Sequence, residues 1–279
     1  MQSGAEGRFL WRTTPEVAYL EPAELGGQAR VRCAFTLRQA GAFGRALNLS
    51  FDRGQRADVL ANRQRVLQAL GLGHTTLYTV RQVHGNQVCV VDEQAVQGGL
   101  LGVEADALVT ALPEVSLGIL VADCLPIVLY ALEPLTLAVV HAGRMGTYQR
   151  IVCKVLEVLH HRFAVAPEQV HAVLGPTIGA CCYTLDARAV GPFQQRFPDW
   201  EQFFTPHGDN CWTMSLTAAN AAQLRAAGVP SRHLRAAHIC TACYKQYLYS
   251  HRAEGQEAGR GMGIAALLPH AECGMWSAA

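Results

Sequence analysis

The chain has 279 residues, enough for one large domain or two ordinary ones, with ample length to bury a core. Half of it is hydrophobic and 16% is charged, which excludes a wholly disordered chain. Lys+Arg number 23 against 22 Asp+Glu, a formal charge of +1, far from the basic excess of a protein that holds nucleic acid through its net field.

Residues 1–30 read as an N-terminal lead-in with strand character around Trp11 and Val17–Leu20, and residues 31–279 as one domain. The opening MQSGAEGRFLWR has no apolar segment of the kind a secretory signal needs. Val31–Leu37 is expected as a strand. Val59, Leu60, Val66, Leu67 and Leu70 recur at helical spacing, and Gly71 follows as a stop. Short apolar runs then succeed one another: Thr76–Val80, Gln87–Val91, Ala107–Val109, Val115–Val121, Ile127–Tyr130 and Thr136–Val140. They are expected as strands of a large sheet, several buried on both faces. The stretch from Val115 to Val140 is the most apolar. Asp123, Pro126, Glu133 and Pro134 interrupt it, so it reads as strands and not as a membrane span. A cytoplasmic protein with reduced thiols and no membrane partner is expected.

Ile151, Val152, Val155, Leu156, Leu159 and Phe163 mark a long amphipathic helix beginning near Thr147. Val170–Leu174 is a further strand before the turn at Gly175-Pro176. Helices are expected over Arg188–Phe197 and Leu216–Ala227, the latter stopped by Gly228 and Pro230. Tyr247–Ser250 and Ile264–Leu268 read as strands. Strands outnumber helices without alternating with them one for one. The class is α/β or α+β: a single domain with a mixed β-sheet flanked by helices.

Three residues at strand ends stand out: His84 in Gln82-Val83-His84-Gly85, Cys124 in Asp123-Cys124-Leu125-Pro126, and His141 in His141-Ala142-Gly143. Ends of neighbouring strands converge in a sheet, and two imidazoles with a thiolate suit an open zinc site. The same residues also read as satisfied loop histidines and a small core cysteine, and residue types alone leave both readings open. Asp123 interrupts the most apolar part of the chain, where a carboxylate needs a partner. The loop His141–Thr147, with its glycines and Arg144, leads into a predicted helix and could receive an anion such as phosphate. Ten cysteines in a chain this long do not make a disulfide scaffold. Cys181-Cys182 and Cys240-Thr241-Ala242-Cys243 could form a zinc cage or a redox pair, but without a second CxxC or a thioredoxin-like context they are expected to be reduced core thiols, free of metal.

The strings RQVHGNQV, DALVT, VADCLPI, VVHAG, LGPTIGACCY and CTAC…YSHR…GR occur in this order between about Phe35 and Leu268, with ALNLS and Asn62-Arg63. Together they resemble the YfiH-type laccase-domain family, also called multicopper polyphenol oxidases or purine nucleoside phosphorylases. The resemblance implies a YfiH/CNF-like sandwich with its site on one edge of the sheet, and zinc, with copper as the alternative, on His84, Cys124 and His141. It also implies phosphorolysis of adenosine, inosine and guanosine, with adenosine deamination and methylthioadenosine cleavage as related activities. On that reading Asp123 and Cys124 are catalytic, Asp123 orienting a ligand or shuttling a proton. Arg38, Asn48, Gln82 and Arg144 are the candidate contacts to nucleoside and phosphate. One departure stands out: the family's HAGWRG is HAGRMG here, with Arg144 at the tryptophan position and Met145 at the arginine position. Three rivals remain: a copper-dependent oxidase, a cysteine hydrolase using Cys124 with His141 as base, and a non-enzymatic metal-binding module.

Overall fold

Apolar runs bounded by turn residues make two stacked mixed sheets in a computed structural model, which describes residues 9–25, 30–40 and 45–268. A hairpin of β1 (Phe9–Thr13) and β2 (Ala18–Pro22) leads to β3 (Val31–Thr36) and the short pair β4 (Gln39–Ala40) and β5 (Arg45–Ala46). Helix α1 (Arg56–Ala69) precedes β6 (Thr76–Tyr78), β7 (Val88–Val90), α2 (Glu93–Gly98) and β8 (Ala107–Thr110). Three longer strands follow, β9 (Val115–Val121), β10 (Leu125–Leu132) and β11 (Leu135–Ala142), then α3 (Arg144–Tyr148) and α4 (Ile151–Phe163). Next come β12 (His171–Leu174), β13 (Thr184–Asp186), α5 (Ala187–Arg196), β14 (Phe204–Pro206) and β15 (Cys211–Met214). Helix α6 (Leu216–Ala226), β16 (Leu234–Ala236), α7 (His251–Glu254) and β17 (Gly261–Leu267) complete the described chain.

One six-stranded sheet runs β1-β2-β3-β17-β9-β6 and the other β16-β12-β10-β11-β8-β7. Their period-two patterning is hidden because both faces are apolar. Leu108, Val128, Tyr130, Leu137 and Val139 point from the second sheet into the seam between the sheets, where they meet Leu20, Val31, Cys33, Phe35, Leu117 and Leu267 of the first. The alternate residues Val109, Ile127, Leu129, Ala138 and Val140 face outward and are covered by Val155, Leu156 and Leu159 of α4, Val190 and Phe193 of α5, and Leu216 and Leu224 of α6. On the far side, Val66 and Leu67 of α1 cover Tyr19, Ala34, Ile264 and Ala266 of the first sheet. The molecule is therefore a helix–sheet–sheet–helix stack in one mixed α+β domain.

Four expectations change. A single large sheet becomes two, because a strand buried on both faces reads alike whether a helix or another sheet covers it. The lead-in has the strand character expected around Trp11 and Val17–Leu20, but it is part of the first sheet: β1 and β2 pair antiparallel with each other and, through Tyr19 and Leu20, with β3. The helix expected from Thr147 is two helices, divided where Arg150 takes a left-handed backbone (φ 58°). Tyr247–Ser250 is not a strand: Tyr247 N and Leu248 N both donate to Tyr244 O in a run of turns, while Leu248 and Tyr249 are buried by packing.

Candidate metal centre and its cleft

Cys124 immediately precedes β10, and His141 lies near the end of the antiparallel neighbour β11, where it is opposite Pro126. That register puts the cysteine and histidine at the same sheet edge. His84 reaches the same point from the loop between β6 and β7, with a left-handed backbone (φ 59°). The potential ligand atoms of His84, Cys124 and His141 all lie within 4.8 Å of one another. The two imidazole rings stand nearly perpendicular, with centroids 4.8 Å apart. A Cβ on Gly143 would lie 2.9 Å from Cys124 Sγ and 3.3 Å from His84 Cδ2, so only glycine lets the chain pass this close to the thiol.

Asp106 builds this corner. Its carboxylate, fully buried just before β8, accepts Val83 N at 3.2 Å, His84 N at 3.0 Å and Gly85 N at 2.7 Å. The same group lies 2.8 Å from His141 Nδ1, and the Asp106 carbonyl accepts His141 N. One residue thus shapes the QVHG turn and fixes the His141 ring, leaving its Nε2 as the free ligand atom. Burial opposes the charge on Asp106, but hydrogen bonds from His141, Gly85 and Val83 prevail and hold its pKa below the usual value. At Cys124 burial likewise opposes ionisation. The charges and hydrogen bonds of His141 and His84 outweigh it and bring the thiol to about 6. His141 moves the other way, up to about 9, because Cys124 and Asp106 overcome the cost of burying its charge. Without a metal the corner is a thiolate–imidazolium pair beside a carboxylate. That donor set fits a thiophilic cation such as zinc, which would replace the imidazolium proton.

Asp123 lies beside the triad with a strained left-handed backbone (φ 87°), but its carboxylate does not meet either histidine. Oδ1 accepts Thr241 Oγ1 at 2.6 Å and Oδ2 accepts Arg252 N at 2.6 Å. Its carbonyl accepts Thr177 Oγ1 and Ile178 N. Asp123 pins three loops together, and the ligand-orienting part foreseen for it falls to Asp106.

The corner forms one wall of a cleft of about 790 Å³, a size suited to a small-molecule ligand. Arg81, Arg144, Arg252 and Arg260 line it, opposed by Asp52 and Asp123, with Tyr183, Met145 and His251 nearby. Arg144 and Met145 both reach the cleft. Burial, and then the Cys124 charge, raise the Tyr183 phenol, while Arg144 and Arg252 pull it back. The remaining candidates divide. Gln82 lines the cleft, but its amide is engaged with the Leu120 backbone, donating to O at 2.9 Å and accepting from N at 2.7 Å. Arg38 lies outside it, donating to Lys245 O and to Glu254 at 2.8 Å and stacking over Tyr249. Asn48 acts through others: its side chain accepts Ser50 N and Arg260 N, setting two cleft-lining residues. The anion reading of the loop after His141 also shifts. α3 is a single five-residue turn, so the cleft's positive charge comes from arginine side chains.

Asp106, Tyr183, Arg252 and Arg260 were not singled out from the sequence. Asp106 carries the signal that drew attention to Asp123, a carboxylate abutting an apolar strand, in DALVT. The others close the strings LGPTIGACCY, YSHR and GR, but these strings lie far apart in the chain and nothing local says that their last residues face one cleft.

Comparison with known proteins identifies relatives of this fold. The family model described as multi-copper polyphenol oxidoreductase laccase matches residues 32–268. Purine nucleoside phosphorylase YlmD of Geobacillus stearothermophilus is 32% identical over 231 residues, 77% of this chain and 81% of that protein. Adenosine deaminase RL5, from an unknown prokaryotic organism, is 32% identical over 210 residues, 72% of this chain and 79% of its own. The crystal structure of YlmD from Geobacillus stearothermophilus superposes with a TM-score of 0.84 at 26% identity, covering 94% of this chain and all of that one. Bacillus licheniformis YfiH superposes with a TM-score of 0.82 at 25% identity, over 92% and 98% of the two chains. Relatives named as enzymes support an enzymatic role, and among the described residues no helix is long and apolar enough to cross a membrane. With its motifs in order, its fold matched along nearly its whole length and its His–Cys–His corner assembled, the chain belongs to the YfiH/YlmD family of laccase-domain proteins.

Proposed function

We propose that the chain is a zinc-dependent purine nucleoside phosphorylase. It would split adenosine, inosine or guanosine with phosphate into free base and ribose 1-phosphate, with adenosine deamination and methylthioadenosine cleavage at the same site. The supporting observation is one cleft that combines the His84–Cys124–His141 donor set with four arginines. The names of the two relatives above give the substrate class. In this reading His84, Cys124 and His141 hold the metal, and a bound zinc ion supplies a Lewis acid and, for deamination, a water of lowered pKa.

The remaining work belongs to side chains. Arginines are the natural donors for phosphate, since guanidinium forms paired charge-assisted hydrogen bonds with its oxygens. Arg144 follows His141 by three residues, and it stands against Tyr183 at the cleft wall. Tyr183, held protonated by burial and by the Cys124 charge, offers a hydroxyl to the nucleoside. Asp106 keeps His141 oriented, and Asp123 keeps the wall in place through Thr241 and Arg252.

The test is metal analysis for zinc and copper on purified protein, together with adenosine turnover with and without phosphate. Phosphate-dependent release of adenine and ribose 1-phosphate is expected. His84→Ala, Cys124→Ala and His141→Ala should each lose metal and turnover together. Full metal retention in all three variants would refute the triad. Metal-loaded protein that turns over no purine nucleoside would refute the enzyme reading and leave a metal-binding module.

A further inference from the structure

We infer that Cys181, Cys182, Cys240 and Cys243 form a second metal site, a closed four-thiolate cage for a structural zinc ion, separate from the His–Cys–His corner. The sequence offers one CxxC and one CC pair about sixty residues apart, which alone suggested free thiols. The fold brings them together, with all four sulfurs within 4.8 Å of one another. Cys243 Sγ lies 3.6 Å from Cys181 Sγ and 3.5 Å from Cys182 Sγ. Four sulfurs placed tetrahedrally about 2.3 Å from a zinc ion are about 3.8 Å apart, so the thiols already have nearly the spacing of a ZnS₄ cage.

The two loops are fixed before any ion binds. Thr177 and Cys240 form a parallel bridge, with Thr177 N donating to Ile239 O and Thr241 N to Thr177 O. The first pair sits in a turn closed by Cys182 N and Tyr183 N on Gly179 O, and the second in a turn closed by Tyr244 N on Cys240 O. One of the four sulfurs, that of Cys240, already has a backbone donor. Gly179 N donates to Cys240 Sγ at 3.2 Å, an amide-to-sulfur bond that suits a charged sulfur. A Cβ on Gly179 would stand 3.1 Å from both Cys181 Sγ and Cys240 Cβ, so glycine leaves the space between the pairs. Four thiolates and one Zn²⁺ carry a net charge of −2. The guanidinium of Arg252, hydrogen-bonded to Cys182 O at 3.1 Å, lies where it offsets that charge. With four protein donors and none of the four cysteines lining the cleft, the site has the closed form of a structural centre. Its place also gives it a role. Ile178 and Tyr183 of the first loop face the cleft, and Thr241 of the second holds Asp123, so the ion would staple one wall of the active cleft.

The test counts metal with the full-length protein purified in reductant. Two zinc ions per chain are expected: one lost in His84→Ala/His141→Ala, and the other lost in Cys240→Ser/Cys243→Ser. Cobalt(II) replacing zinc in His84→Ala/His141→Ala should give the intense visible and near-ultraviolet bands of a tetrahedral tetrathiolate complex. Should the cysteine variant fold poorly, titrating the unmutated protein with a mercurial should release the second zinc as four thiols react. A single zinc per chain that is lost in His84→Ala/His141→Ala and kept in Cys240→Ser/Cys243→Ser, no cobalt–thiolate bands in the histidine variant, or a native mass lower by two hydrogens from a disulfide within the cluster would each overturn the site.

Discussion

Asp106 shapes the candidate metal corner more than any of the three residues proposed to hold the ion. Its buried carboxylate accepts three backbone amides of the QVHG turn and the Nδ1 of His141, so one side chain sets the position of one ligand and the orientation of another. Asp106→Asn keeps the volume but presents an NH₂ group to donors. Metal affinity at the corner is expected to fall roughly 10- to 100-fold, read by competition with a chelator, with the fold retained. Asp106→Ala removes the partner of a buried charged imidazole and is expected to cost about 3–5 kcal/mol of stability in the metal-free protein, read by denaturant unfolding. The Arg144–Met145 exchange is tested by kinetics. If Arg144 meets phosphate in the transition state, Arg144→Ala should cost roughly 2–4 kcal/mol, about thirtyfold to a thousandfold in phosphate-dependent turnover. Met145→Arg, which restores the family's arginine, should raise turnover. Unchanged turnover in Arg144→Ala would assign the anion to the other cleft arginines. The three metal-corner residues were legible because each sits in a short motif beside a turn. Gln82 and Asn48 stood in motifs too, and Arg38 was a further candidate, yet their polar groups serve the backbone and an ion pair. A motif reveals that a polar residue is needed, not whether it faces substrate or chain.

At the scale of elements, hydrophobic periodicity located the four longer helices, α1, α4, α5 and α6, and the long strands β9, β10, β11 and β17, because packing and not propensity decides them. It failed where the backbone departs from the regular path. The apolar spacing around α3 and α4 is continuous, so nothing marked the break at Arg150, whose guanidinium lies over the Phe197 ring at 5.1 Å. The cleft gains from the break, since Arg144 and Met145 leave on a short turn that points into it. The far end of α4 offers a clean measurement. Ala164 closes the helix with a left-handed backbone (φ 55°) and an exposed side chain, its N–H on His160 O. That position favours glycine, which adopts positive φ without clash. Ala164→Gly is expected to stabilise the protein by about 0.5–1 kcal/mol, the relieved strain exceeding the added freedom of the unfolded chain. A shift in denaturation midpoint checks it; a loss of stability would mean that the strain is not relieved there.

At the scale of the whole molecule, the stack of two sheets was the least legible feature, and the first hairpin shows why. Residues 9–22 read as a lead-in with only some strand character, because β1 is half exposed and short and no motif falls within it. Yet β2 is buried along its length, and its side chains divide between two cores: Ala18 and Leu20 enter the seam between the sheets, while Tyr19, with Val17 just before the strand, packs on the α1 side. β2 is therefore a structural strand of the first sheet, and β1 covers its outer edge. Without the hairpin, β3 would become a free edge with its backbone groups unpaired, and the apolar faces beside it would meet water. Burying a large aliphatic side chain stabilises by roughly 1.5–3 kcal/mol, and folded domains are stable by only about 5–15 kcal/mol. Val17 and Leu20 alone represent a large part of that margin. A chain beginning at residue 31 is accordingly expected to lose its cooperative unfolding transition and to aggregate through the exposed β3 edge, measured by denaturant titration and light scattering. A cooperative transition with an unchanged midpoint in that shortened chain would show that the hairpin is an appendage to the sheet and not part of it.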